Sequence, residues 1–417
     1  MFALGGRGGK WLDAEMNETG GRLRIELFPR AEAAVRRGHP WVYGESIKGQ
    51  NREGEVGELA VMYDRNNRFM AVGLYDPTSP IRVRIVHCGK PAMIDRAWWL
   101  EKVRSCVERR EGSVVNAGTN GARLINGESE GFPGLVLDRY AGTLVAKLYT
   151  AAWLPRWEEM EGVIREVLEP QHLVLRLSRN IQEDAAKHWG LEEGFRGEAG
   201  DEIVVFSENG IRFEAAVING QKTGFFLDQR DNRTRVETLA AGREVLNVFS
   251  FSGGFSLYAA RGGAKSVTDL DISGHALESA DRNYQLNEGD ARIAGVSRET
   301  VRADAFKWMD EDPRTYDMII VDPPSLAKRE KEREGAIRAY QRLNGRAIER
   351  LPPGGILVAA SCSAHVSEVE FYDIVRSAAM RSGRSWRELW TSGHAEDHPA
   401  GFAEARYLKA LCLEFEC

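Results

Sequence analysis

In the second half of the chain, four short apolar runs, "EVLNVFS", "SVTDLD", "YDMIIVD" and "GGILVAAS", each lead into a segment with helical spacing. Those segments are "FSLYAARGGA", "HALESADRNYQLN", a long charged stretch beyond Asp322, and "EVEFYDIVRSAAM". Strands this apolar are covered on both faces, and strands that alternate with helices run parallel, because each crossover returns the chain to the same end of the sheet. Residues 206–417 therefore predict an α/β domain, a doubly wound Rossmann-like sheet with helices on both faces. The close, "RYLKALCLEFEC", alternates and reads as a final edge strand. Ligands of such sheets bind outside the carboxyl ends of the strands, so the residues that matter are those where each strand stops.

The first strand runs into Ser252-Gly253-Gly254. Glycines there let a ligand approach the backbone, and the helix from about Phe255 offers free N–H groups to a phosphate or a carboxylate. The GxGxxG pattern is absent, which weakens a dinucleotide reading. The second strand stops at Asp271, 18 residues after Gly253, near the offset of ribose-binding acids. Asp304, after a third short strand, is placed to accept from an adenine amino group. The fourth ends in Asp322-Pro323-Pro324-Ser325, a stiff turn that holds a carboxylate and nearby carbonyls at the mouth of the site. Cys362 follows the strand "ILVAAS". Taken singly, these residues also read as a surface aspartate, a structural turn and a core thiol. At successive strand ends they describe an adenosine pocket with a carboxylate and a thiol beside it.

Residues 21–90 read as a small β-rich unit, with strands at "GRLRIELF", "GELAVMYD", "RFMAVGLYD" and "IRVRIVH" and one helical segment, "RAEAAVRRG". Residues 91–205 read as an α+β unit, opening on the helix "AMIDRAWWLEKVRSCVERR". Residues 1–20 have no signal-peptide core and read as a disordered leader or an extra strand. The net charge of −6 gives no global signature of a nucleic-acid binder, yet residues 21–90 hold 12 Lys and Arg against 8 Asp and Glu. The basic stretch Lys328, Arg329, Lys331 and Arg333 reads equally as phosphate contacts or as a solvated helix face. Five scattered cysteines without a CxxC pair favour a reducing cytoplasm and argue against a zinc site or disulfides. No apolar run is long enough to span a bilayer.

With "NGQKTGFFLDQRDNR" upstream, the segments "VLNVFSFSGGFSLYAARGGA", "DLDIS", "ADAF", "VDPPS" and "SCS" resemble class I S-adenosylmethionine-dependent methyltransferases. More narrowly, the chain is similar to bacterial 23S rRNA cytosine-C5 methyltransferases with an N-terminal PUA domain, whose opening "FPRAEAAVRRGHPWVYGESI" resembles. The resemblance implies that Lys222, Thr223, Gly224, Phe225, Phe226, Leu227, Asp228, Gln229 and Arg230 close over the cofactor. It implies that Asn247, Phe249, Ser250, Gly253 and Gly254 surround its methionine part, that Asp271 holds the ribose, and that Asp304 meets the adenine. Asp322 and Pro323 would border the cofactor as well, with Asp322 and Cys362 as the catalytic pair. RNA is the implied partner, rRNA of the large subunit, while dimerisation stays open. Two positions depart from the family. Leu326 stands where an aromatic residue is common, and Ser325 stands where related enzymes carry a second cysteine. Water, Ser363 or His365 would remove the C5 proton. The alternatives are a methyltransferase for an exocyclic base amine, which would place an aromatic residue at Ser325, and a non-catalytic RNA-binding ribosome-assembly factor.

Overall fold

A computed structural model describes residues 21–327 and 329–416. The leader expected over residues 1–20, and Lys328 of the basic stretch, lie outside them. The chain opens on a six-stranded sheet between Leu23 and Cys88, whose first strand, Leu23–Leu27, alternates buried and exposed as its sequence alternates. The helix Pro29–Arg36 starts on a proline, whose missing N–H costs nothing in a first turn. The short strands Trp41–Tyr43 and Ile47–Gln50, flanking a 3-10 turn, are too brief to show a period and escape sequence reading.

A second sheet of five strands follows. Its centre is a hairpin, Leu135–Tyr140 and Thr143–Leu148, with Gly121–Asn126 as an additional strand at its side. Two helices, Arg96–Glu108 and Trp157–Leu168, cover it, and Trp99, Trp153 and Trp157 fill the space between them and the sheet. An antiparallel pair, Ile203–Glu208 with Ile211–Ala216, leads onward.

The third sheet has seven strands: β1 (Glu244–Val248), β2 (Ser266–Asp271), β3 (Ser297–Arg302), β4 (Met318–Val321), β5 (Gly355–Ser361), β6 (Trp386–Ser392) and β7 (Lys409–Phe415). Their spatial order is β3-β2-β1-β4-β5-β7-β6. The first five are parallel and β7 is antiparallel to both its neighbours. Every residue of β4 and β5 is buried, as their uninterrupted apolar sequences require. Helices α1 (Arg230–Glu237), α2 (Gly254–Arg261), α3 (Gly274–Leu286), α4 (Ala305–Glu311), α5 (Arg333–Glu349) and α6 (Glu368–Arg381) cover its two faces. The strand order reverses between β1 and β4, which opens a crevice above their carboxyl ends.

The last strand corrects the sequence reading. β7 is interior and the edge belongs to β6. Lys409 and Glu414 imitate the alternation of a half-exposed strand, but Lys409 is buried with its ammonium on three backbone carbonyls, and Glu414 answers Arg387 of β6. Among the described residues no helix is long and apolar enough to cross a membrane.

Candidate active site

Above β1 and β4 lies a cavity of about 320 Å³. The turn after β1 forms its floor. Phe249, Phe251 and Gly253 all take left-handed backbone angles, with φ of 63°, 48° and 73°. For the two phenylalanines that conformation costs roughly 1–2 kcal/mol each, a strain that functional loops hold by their surroundings. A side chain at Gly253 would also bring its Cβ to 3.1 Å from Cβ of Ala280 in α3. The turn is tied to β2 by Asp271, which accepts the Phe251 N–H at 3.0 Å and the Ser273 N–H at 2.8 Å. A carboxylate has lone pairs to spare for two hydroxyls. Asp271 faces the cavity, whereas Asp269 is fully buried and accepts from the Ser256 hydroxyl.

The segment Gln221–Gln229 forms a lid. Thr223 bonds the hydroxyl of Tyr140 and the carboxylate of Asp138, and the Phe225 N–H donates to Tyr140. Lys147 donates to the Lys222 carbonyl at 3.0 Å. The lid is thereby fastened to the middle sheet. Lys222 pairs with Asp228 and lies 4.5 Å from the centre of the Phe226 ring. Burial would raise the Asp228 carboxyl, but Lys222, His398 and the Tyr407 hydroxyl outweigh it and hold it below the usual carboxylate range.

At the other wall, Gln229 donates from Nε2 to Asp322 Oδ2 at 2.9 Å, and Asn232 orients that amide through its Oε1. Burial first, then the charge of Asp228, pushes Asp322 up to about 7. Cys362 Sγ lies 3.9 Å from the Pro323 carbonyl, and burial, then the charge of Asp322, pushes its thiol up to about 11. Ser363 is buried and locks the two loops together, accepting from the N–H groups of Leu326 and Ala327 and lying 3.3 Å from the Ser325 hydroxyl. Ser325 therefore braces the Pro-Pro turn. His365 is directed to Glu330, so neither it nor Ser363 lines the cavity.

Twelve of the residues expected from sequence line this one cavity: Lys222, Phe225, Phe226, Asp228, Gln229, Phe249, Ser250, Gly254, Asp271, Asp322, Pro323 and Cys362. Thr223, Gly224, Leu227, Arg230, Asn247, Gly253 and Asp304 do not line it. Thr223 holds the lid, Arg230 grips Asp397 through two bonds of 3.0 Å, and Asn247 donates to Ser256. Gly253 caps α2, and Asp304 caps α4 by accepting the Lys307 N–H. Sequence reading missed Arg233, Ile272, Tyr407 and Leu408. The partner of Arg233 is Glu208, 25 residues away, and no local pattern marks that pairing. In the basic stretch, Arg333 turns to Glu370, and further along α5 Arg342 and Arg346 share Asp310, so much of that charge is answered within the protein.

The cavity fits an amino-acid-bearing nucleoside. Asp228 Oδ1, Ser250 Oγ and Ser252 Oγ are buried polar atoms without a partner among the described residues, on residues that line it. An α-ammonium suits Asp228, a carboxylate suits the serine hydroxyls and the turn, a ribose suits Asp271, and Ile272, 65% exposed, offers an apolar surface to a flat base.

Comparison with known proteins agrees with this chemistry. Residues 164–380 match the model of the S-adenosylmethionine-dependent methyltransferase family, and residues 25–87 that of a PUA-like domain. A ribosomal RNA large subunit methyltransferase of Deinococcus radiodurans is 57% identical over 404 residues, covering 95% of this chain and 98% of that protein. The ribosomal RNA large subunit methyltransferase I of Vibrio vulnificus is 35% identical, covering 94% and 98%. A methyltransferase solved in complex with SAH superposes with a TM-score of 0.79 at 21% identity, covering 94% of this chain and 99% of that one, a likeness of fold.

Proposed function

Because the chain belongs to the S-adenosylmethionine-dependent ribosomal RNA large subunit methyltransferases with a PUA-like domain, we propose that it methylates C5 of a cytosine in large-subunit rRNA through a covalent adduct with Cys362. The observation that carries this reading is the meeting of Asp322 and Cys362 on one cavity, at the ends of adjacent strands.

S-adenosylmethionine supplies an electrophilic methyl group on a sulfonium. Carbon 5 of cytosine is a poor nucleophile, and addition of a thiolate at C6 makes it one by pushing electron density across the ring. The working pair holds a single proton. In the resting site that proton belongs on Cys362, whose affinity for it is the higher of the two. Moving it to Asp322 creates the thiolate and a neutral acid together, and the acid then donates to N3 as charge develops there. After methyl transfer a base removes the C5 proton, the C6–S bond breaks, and N3 returns its proton. With Ser363 held by the Leu326 N–H and His365 by Glu330, water serves as that base. The PUA-like sheet, with its local excess of basic residues, would dock the surrounding RNA.

The test uses an rRNA fragment carrying tritium at cytosine C5. One tritium released per methyl transferred supports C5 chemistry. Methyl transfer with the tritium retained would identify an exocyclic amine as the acceptor, and no methyl transfer at all would favour a binding factor.

The pair also fixes a pH dependence. Below about pH 7 Asp322 and Cys362 are both protonated, one proton too many, so the rate should rise tenfold per unit as pH approaches 7 and level off above it. Removing a like charge lowers a carboxyl pKa, so Asp228→Asn should move that rising limb to lower pH by about one unit. A rate that falls as pH rises through 7 would contradict the single-proton pair.

A further inference from the structure

A buried cation stands behind the cysteine without a role in the chemistry above. Lys409 opens β7, where it pairs across the ladder with Ser361, the residue before Cys362. It is 1% exposed. Its ammonium donates to the carbonyls of Ser363 at 2.5 Å, Val366 at 2.6 Å and Tyr407 at 3.1 Å, which uses all three of its hydrogens. Two of those carbonyls belong to the turn that follows Cys362. The third belongs to Tyr407, whose hydroxyl holds Asp228 of the lid. No carboxylate pairs with Lys409 among the described residues, whereas Lys222, the other cation facing the thiol, is paired with Asp228. Burying an ammonium with no counter-charge is unfavourable, and an apolar side chain would fill the same strand position without that cost.

We propose that Lys409 is a positioning residue for Cys362: it pins the turn that carries the thiol, and it sets a positive charge without an ion-pair partner behind it that favours the thiolate. This inference rests on reading Cys362 as the nucleophile. The charged and titratable groups facing the thiol are Asp322 and Asp228, which oppose its ionisation, Lys222 from the lid, Lys409 from β7, and Tyr340 from α5. Glu368, at the start of α6, faces Lys409. Burial pushes the Lys409 ammonium down to about 8, so its charge is present at neutral pH and is lost as pH rises through that value.

The test alkylates Cys362 with iodoacetamide from pH 6.5 to 9.5, follows that one cysteine by peptide mass spectrometry, and includes neither RNA nor cofactor. At pH 7 the Lys409→Gln protein should react about tenfold more slowly than the wild type, the effect of one pKa unit, and the two curves should converge above pH 8 as Lys409 loses its own proton. Lys409→Arg keeps its charge throughout and should match the wild type at pH 7. Lys409→Met, which preserves length and volume, repeats the measurement should the glutamine variant fail to bind S-adenosylhomocysteine. Coincident wild-type and Lys409→Gln curves overturn the proposal, as does an equal loss in the glutamine and arginine variants. Unfolding of both neutral variants would make Lys409 a structural strut and overturn it too. The nucleophile reading fails on different grounds, in a Cys362→Ala protein that still forms the RNA adduct.

Discussion

Cys362→Ala is expected to lower methyl transfer by at least about 10⁴-fold while leaving S-adenosylhomocysteine affinity unchanged. The loss should be that large because the thiolate makes the bond on which every later step depends, and a water in its place is a far weaker nucleophile toward C6. Affinity should persist because, among the described residues, the only hydrogen bond of the sulfur is the long one to the Pro323 carbonyl. Substrate RNA with 5-fluorocytosine at the target separates the two roles. Fluorine at C5 cannot leave as a proton does, so the wild-type protein should accumulate an RNA adduct that survives denaturation, and the variant should form none. An adduct undiminished in Cys362→Ala would move the nucleophile elsewhere. The other described cysteines offer no substitute, for Cys106 and Cys412 are buried and Cys88 lies on the first sheet.

Arg233→Ala is expected to destabilise the folded protein by about 3–5 kcal/mol, read from the midpoint of a urea unfolding curve. Arg233 and Glu208 are both fully buried, joined by two bonds of 2.8 and 2.7 Å. Removing the guanidinium leaves a buried carboxylate with no counter-charge, and that orphan, more than the lost attraction, sets the size of the effect. Neutralising both partners as Arg233→Met with Glu208→Gln should recover much of the stability, since the glutamine still accepts the Tyr258 hydroxyl. Cofactor affinity should fall in either variant, because Arg233 also holds the Phe226 carbonyl at 3.0 Å and lies 4.9 Å from the Phe225 ring. A midpoint unchanged by Arg233→Ala would show that water reaches Glu208.

What could be read in the sequence is what local periodicity writes there. The parallel strands of the third sheet were legible because β4 and β5 are continuous apolar runs between turn signals, and the acids at their ends follow from where those runs stop. Pairings across long separations were not. Arg230 belongs to a motif of the lid, yet its side chain is consumed by Asp397, 167 residues away. Asp304 has the spacing of an adenine contact and also that of a helix cap, and only the fold shows the second bond being made. Lys409 misled for a related reason. A lysine in an alternating run reads as an outward position, whereas three carbonyls converging on one point make the interior position tenable.

The bonds from Tyr140, Asp138 and Lys147 to the lid bear on modularity. The seven-stranded sheet carries the glycine turn and the acids Asp271 and Asp322, but a fragment cut at its own border would lose the bonds that fasten the first half of the lid, at Lys222, Thr223 and Phe225. Cofactor retention is therefore a property of two sheets jointly, and the middle one, which offers no ligand motif of its own, is half of the clasp.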